Sequence, residues 1–138
     1  MSRRPASSSL LAGVLLAACG SPTDVDPLTI SLRTVTFATQ AERAAWPPSP
    51  TIEDGEALVV RGWAFPGCGR PEAHVQRRDN VVGVEIRAVD TDRLCLAIIH
   101  SSPVEATVSG LAPGVYRVRL GMVGHPQRVE GTATIAAQ

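Results

Sequence analysis

A single antiparallel β-sandwich of seven or eight strands is the fold class this sequence predicts, and three observations carry it. Apolar and polar residues alternate with period two through most segments after residue 27. Clusters of Gly, Pro, Asn and Asp punctuate those segments at short intervals. The 138 residues include 44% hydrophobic side chains, enough for one core but not for two domains. That composition is too apolar for a disordered chain. No long segment of 3.6-residue period competes, and no internal repeat is present. All 13 basic residues are Arg, and 13 acids balance them, which excludes the basic surplus of a nucleic-acid binder.

Before the sandwich comes an address. Arg3 and Arg4 precede an apolar run at residues 10–18. As a helix that run would rise about 14 Å, well short of the roughly 30 Å hydrocarbon core of a bilayer. It therefore reads as a signal peptide over residues 1–18 and not as a membrane span. The run ends Leu16-Ala17-Ala18-Cys19, which resembles the lipobox of bacterial lipoproteins. The resemblance implies thioether attachment of a diacylglyceryl group to Cys19, cleavage before it, and acylation of its new α-amine. Two or three acyl chains anchor stably where one binds only marginally. The competing reading is an ordinary signal peptide with a chance cysteine. Gly20 is not the Asp-type inner-membrane retention signal, so the expected location is the cell envelope, at the outer membrane where the cell has one. The rest of the 19–27 segment after Cys19 is short, polar and Pro-containing, a tether, and 28–138 is the domain.

Within the domain, Leu28, Ile30 and Leu32 alternate with Thr29, Ser31 and Arg33. Val35 and Phe37 continue in the opposite phase, which predicts a bulge or two short strands. Thr39-Gln40-Ala41-Glu42 fits a capping box, and Pro47 and Pro48 limit the helix it starts to about two turns. Residues 56–65 read as a mostly buried strand. Residues 74–78 and 81–89 predict a hairpin across Asp79-Asn80. Residues 94–99 are a short apolar run, and Ser102-Pro103 reads as a strand-end turn. Val104, Ala106 and Val108 then alternate with Glu105, Thr107 and Ser109. Residues 115–120 alternate with Arg117 and Arg119 outward, and Val129, Gly131, Ala133 and Ile135 mark a last strand.

Leu111-Ala112-Pro113-Gly114-Val115-Tyr116-Arg117-Val118 resembles the L-x-P-G-x-Y-x-V strand entry of immunoglobulin-like, fibronectin-type and transthyretin-like domains. The resemblance implies an immunoglobulin-like sandwich with a structural corner at Pro113, Gly114 and Tyr116. Proline fixes φ and glycine permits a positive one, while Tyr116 buries its ring and returns its hydroxyl to nearby backbone. Val118 stands where antibody domains have a Cys, so a bacterial immunoglobulin-like relative fits better than an antibody domain. Residues 58–120 are also similar to uncharacterised exported bacterial sandwich domains with G-x-x-F-P-x-C, a second Cys and this P-G-x-Y strand. The corner motif informs fold and not activity.

Cys68 and Cys95 are the only cysteines after Cys19. An even pair in an exported domain predicts a disulfide; a redox or metal pair would favour C-x-x-C spacing, which is missing. His74, His100 and His125 lie in separate segments without metal-ligand spacing, although Glu72 or Asp92 could join them in space. Ser101 and Ser102 follow His100 outside any nucleophile motif, and Asp90 and Asp92 flank Thr91 as a solvated turn. Arg70, Arg77, Arg78 and Arg87, near His74, form a possible basic patch suited to carboxylate or phosphate. Glu72, Asp79 and Glu85 sit among them and favour mutual neutralisation. Trp46 is either an exposed anchor or packed back on the sandwich. The expectation is a non-catalytic envelope interaction or structural module without cofactor or metal, whose partner is an envelope protein or cell-wall glycan. The alternative is a lipoprotein that binds a small ligand or metal through His74, His100 or the arginines.

Overall fold

Alternation along the strands becomes two four-stranded sheets that share one apolar layer. The computed structural model describes residues 27–90 and 100–137. The elements are β1 (Thr29–Thr34), α1 (Gln40–Ala45), β2 (Thr51–Glu53), β3 (Leu58–Ala64), β4 (Arg70–Arg78), β5 (Val81–Val89), β6 (Ser102–Ser109), β7 (Gly114–Met122) and β8 (Val129–Ile135). The first sheet has the order β1-β6-β3-β2 and the second β4-β5-β7-β8. The apolar run at 94–99, the 1–18 signal segment and Cys19 lie outside the described residues.

The inward faces are as the alternation requires. Leu58, Val60, Val104, Ala106 and Val108 of the first sheet meet Val82, Val84, Ile86, Val118, Leu120 and Ala133 of the second. Each large aliphatic side chain buried this way contributes about 1.5–3 kcal/mol relative to leaving it in water. The expectation of a mostly buried 56–65 strand is corrected in β3. Only Leu58, Val60, Gly62 and Ala64 are buried, because Val59, Arg61 and Trp63 point to the outer face.

Pairing is antiparallel everywhere among the described strands except between β5 and β7, which run parallel. The expectation of a wholly antiparallel sandwich is corrected at that pair. β6, which separates β5 from β7 in the chain, belongs to the opposite sheet. Two crossings between sheets bring β7 back in the same direction as β5, as parallel neighbours require.

Local chemistry explains the remaining boundaries. The phase change after Leu32 is the end of β1 at Thr34, beyond which Val35 N–H still donates to the Pro103 carbonyl at 2.8 Å. α1 starts in a complete capping box: Thr39 Oγ1 accepts from Glu42 N–H at 3.1 Å, and Glu42 Oε2 accepts from Thr39 N–H at 3.2 Å. The hairpin turns at Asp79-Asn80, with Asp79 in the left-handed region (φ 54°) that its short polar side chain tolerates. Ser102 and Pro103 belong to β6 and not to a turn, with Pro103 opposite Trp63. β2 was not expected from the sequence. The chain after it is tied to β8 by Gly55 N–H to the Thr134 carbonyl at 3.3 Å and Ala136 N–H to the Gly55 carbonyl at 2.9 Å. These bonds link the two sheets along that side of the sandwich.

Candidate anion-binding face

Because Val82, Val84 and Ile86 face the core, their neighbours Val81, Gly83, Glu85 and Arg87 face outward. The registers extend this set into rows across the second sheet. Val81 lies between Arg78 of β4 and Arg117 of β7. Gly83 lies between Gln76 and Arg119, and Arg119 is followed by Glu130 of β8. Glu85 lies between His74 and Gly121.

Gly83 contributes no side chain, and a Cβ built there meets nothing nearer than the Gln76 carbonyl at 3.9 Å. The result is a shallow groove lined by Gln76, Arg77, Arg78, Val81 and Arg119. Its charge is unbalanced. Glu130 faces two guanidinium groups, Arg119 at 3.1 Å and Arg117 at 4.0 Å. Arg77 donates from Nε to the Asp79 carbonyl at 2.8 Å and lies 5.3 Å from the Tyr116 ring centroid. Arg78 has no ion pair or hydrogen bond from its side chain among the described residues. Among the described residues, two of the three outward arginines therefore share one carboxylate while Arg78 has none, and all three side chains are exposed enough to reach a ligand.

One row further, the same device is filled. Glu85 lays its carboxylate over Gly121, where any Cβ would collide with it, and Arg128 pairs with that carboxylate.

The basic patch expected at Arg70, Arg77, Arg78 and Arg87 is divided by this geometry. Glu72 pairs with Arg70 at 2.9 Å and lies 3.7 Å from His74 Nε2, which neutralises that end. Arg78 instead joins Arg117 and Arg119 of β7, whereas Arg77 lies opposite core-facing Val82 and over the Tyr116 ring, at the rim of the groove. Sequence reasoning placed the β7 arginines outward but not beside the hairpin, since only the parallel β5–β7 register makes them neighbours.

The histidines stay apart. His74 is exposed on β4 and His100 is exposed before β6. His125 is half-buried, donates from Nε2 to the Trp63 carbonyl at 2.7 Å and packs on Phe65 at 5.7 Å between ring centroids. No group of three His, Cys, Asp or Glu among the described residues is placed to hold a metal ion. Asp90 is exposed after β5, and Asp92 lies outside the described residues. Cys68, in the turn between Gly67 and Gly69, is disulfide-bonded; Cys95 lies outside the described residues. Trp46 packs back on the sandwich: its Nε1–H donates to the Gly62 carbonyl at 3.1 Å, and its ring meets Phe37 edge-on at 5.5 Å.

At the corner, Tyr116 is 5% exposed and its hydroxyl donates to the Ala112 carbonyl at 2.8 Å. A second polar cluster, on the outer face of the first sheet, escaped the sequence reading. Glu105 is buried, although alternation assigned it to solvent. Arg33 donates from Nε to its Oε1, with Nη2 also in ion-pair contact there, and Arg61 donates from Nε to its Oε2, each at 2.7 Å. Arg61 also holds Glu53 at 2.6 Å. Burial is the largest single influence on Glu105 and disfavours its charge, but the hydrogen bonds and charges of Arg61 and Arg33 together outweigh it. The carboxyl is held below the usual range.

No protein-family model, no curated protein and no solved structure matches the chain.

Proposed function

We propose that this chain is a lipid-anchored module of the bacterial envelope, a sandwich of immunoglobulin-like type that binds an anionic envelope component without catalysing a reaction. The observation that carries the binding reading is the face around Gly83, where, among the described residues, Arg117 and Arg119 pair with Glu130 alone and Arg78 with no acid. Arginine presents a planar fork of donors to carboxylate or phosphate, and a surplus of them on one side of a neutral chain directs binding to polyanions. The buried Tyr116 and its bond to Ala112 support the immunoglobulin-like kinship, while the parallel β5–β7 pair departs from that family's antiparallel sheets. Anchoring rests on the lipobox resemblance at Leu16-Ala17-Ala18-Cys19.

Two measurements test this reading. When the full chain is expressed in bacteria, Cys19→Ser is expected to leave it at precursor size or to move it to the soluble fraction. A Cys19→Ser protein that remains membrane-bound at mature size would refute the anchor. Detergent-purified wild-type protein is expected to sediment with delipidated envelope fragments and to be released as salt screens the contact. The Arg117→Ala/Arg119→Ala variant is expected to stay in the supernatant. Retention indifferent to both salt and substitution would remove the anionic partner.

Export also supports pairing of Cys68 with Cys95 in the mature chain. Intact mass of the native protein is expected to fall about 2 Da below that of the reduced chain, and labelling of both cysteines by a thiol reagent before reduction would contradict the bridge.

A further inference from the structure

We infer that the groove over Gly83 receives a carboxylate group of an acidic polysaccharide, an assignment that rests on the binding role proposed above. The molecule carries its own example of the interaction. On the outer face of the second sheet, Gly121 leaves a gap that the Glu85 carboxylate fills, paired with Arg128. Gly83 lies two residues before Glu85 on β5, about 7 Å along the strand, and leaves the equivalent gap open. Its cross-strand neighbours are Arg119 and Gln76, and the groove lining adds Arg77 and Arg78 but no acid. The position that would supply an internal carboxylate is occupied by Gln76, whose amide can donate where Glu would repel. A planar carboxylate lying flat on the strand is therefore the group this face accommodates, with Arg119 and Arg78 as donors. Val81 is the only large apolar side chain lining the groove among the described residues, so no pocket exists there for a peptide's apolar anchor. A hydroxyl-rich acidic sugar chain matches such an open, polar surface.

The test uses full-length protein in detergent against polygalacturonate, neutral dextran, dextran sulfate and poly-glutamate. Wild type is expected to bind polygalacturonate best and dextran not at all. Gly83→Val fills the gap with a residue that strands favour, and its Cβ meets nothing nearer than the Gln76 carbonyl at 3.9 Å. Gln76→Glu supplies an internal carboxylate at an exposed site. Each is expected to weaken polygalacturonate binding about tenfold or more, the equivalent of one lost charge-assisted contact, at unchanged melting temperature. Should Gly83→Val fold poorly, Gln76→Glu decides alone. Unchanged affinity in the folded variants, with loss in Arg117→Ala/Arg119→Ala, would overturn the groove and leave the face reading intact. Equal or tighter binding to dextran sulfate would overturn the carboxylate, and tighter binding to poly-glutamate would overturn the polysaccharide. Binding to none of the polyanions, together with failure of envelope retention, would overturn both proposals.

Discussion

Tyr116→Ala is expected to destabilise the domain by about 3–5 kcal/mol, the cost of truncating a buried aromatic. The ring is 5% exposed and belongs to the core cluster, so its removal leaves a cavity where the β6–β7 connection meets β7. Tyr116→Phe keeps the ring and removes only the bond to the Ala112 carbonyl at 2.8 Å. It is expected to cost about 1 kcal/mol, the net contribution of one such hydrogen bond, since Ala112 is exposed and its carbonyl can turn to water. Denaturant midpoints of the full chain, with the disulfide intact, measure both. Values within about half a kcal/mol of wild type for the two variants would mark a surface tyrosine and remove the corner as the basis for an immunoglobulin-like reading.

Glu105→Gln is expected to cost about 1.5–3 kcal/mol at neutral pH, the range for hydrogen bonds to charged groups. The figure stays below that for a fully buried ion pair, since Arg33 and Arg61 are 68% and 35% exposed and recover water when Glu105 is neutralised. Arg33→Gln, at the exposed end, is expected to cost under about 1 kcal/mol. The pH dependence follows from the direction of the Glu105 shift. Its carboxyl is lowered in the folded state, so the unfolded chain takes up the proton first as pH falls. The contribution is complete above the ordinary carboxylate pKa of about 4.3 and is lost progressively below it, as pH falls through the lower folded value. Wild type is therefore expected to lose stability more steeply than Glu105→Gln below about pH 4, with urea midpoints as the measure. Parallel curves for the two proteins would show that Glu105 does not carry the linkage.

The strand phases of β4–β8, the turn at Asp79-Asn80 and the capping box at Thr39 were legible because each is set by residues within a few positions of one another. Burial of Glu105 was not legible. Alternation placed it outward correctly, yet the outer face at that point is roofed by the stems of Arg33 and Arg61, which come from β1 and β3 through sheet pairing. β2 was missed because its three residues carry too little pattern, and it is defined by its pairing with β3.

The candidate face divides the same way. Sequence alone determined that Arg117 and Arg119 point to solvent, since side-chain direction in a strand alternates residue by residue, and it put Arg78 on the neighbouring hairpin. It also placed Gly83 within the second strand of that hairpin. Only the tertiary structure decided that these belong to one surface. The parallel register of β5 with β7 sets Arg117 beside Val81 and Arg119 beside Gly83, across a connection that passes through the opposite sheet. Which strands become neighbours depends on how two sheets bury their apolar faces together, a choice made by the whole core. No short stretch of sequence contains it.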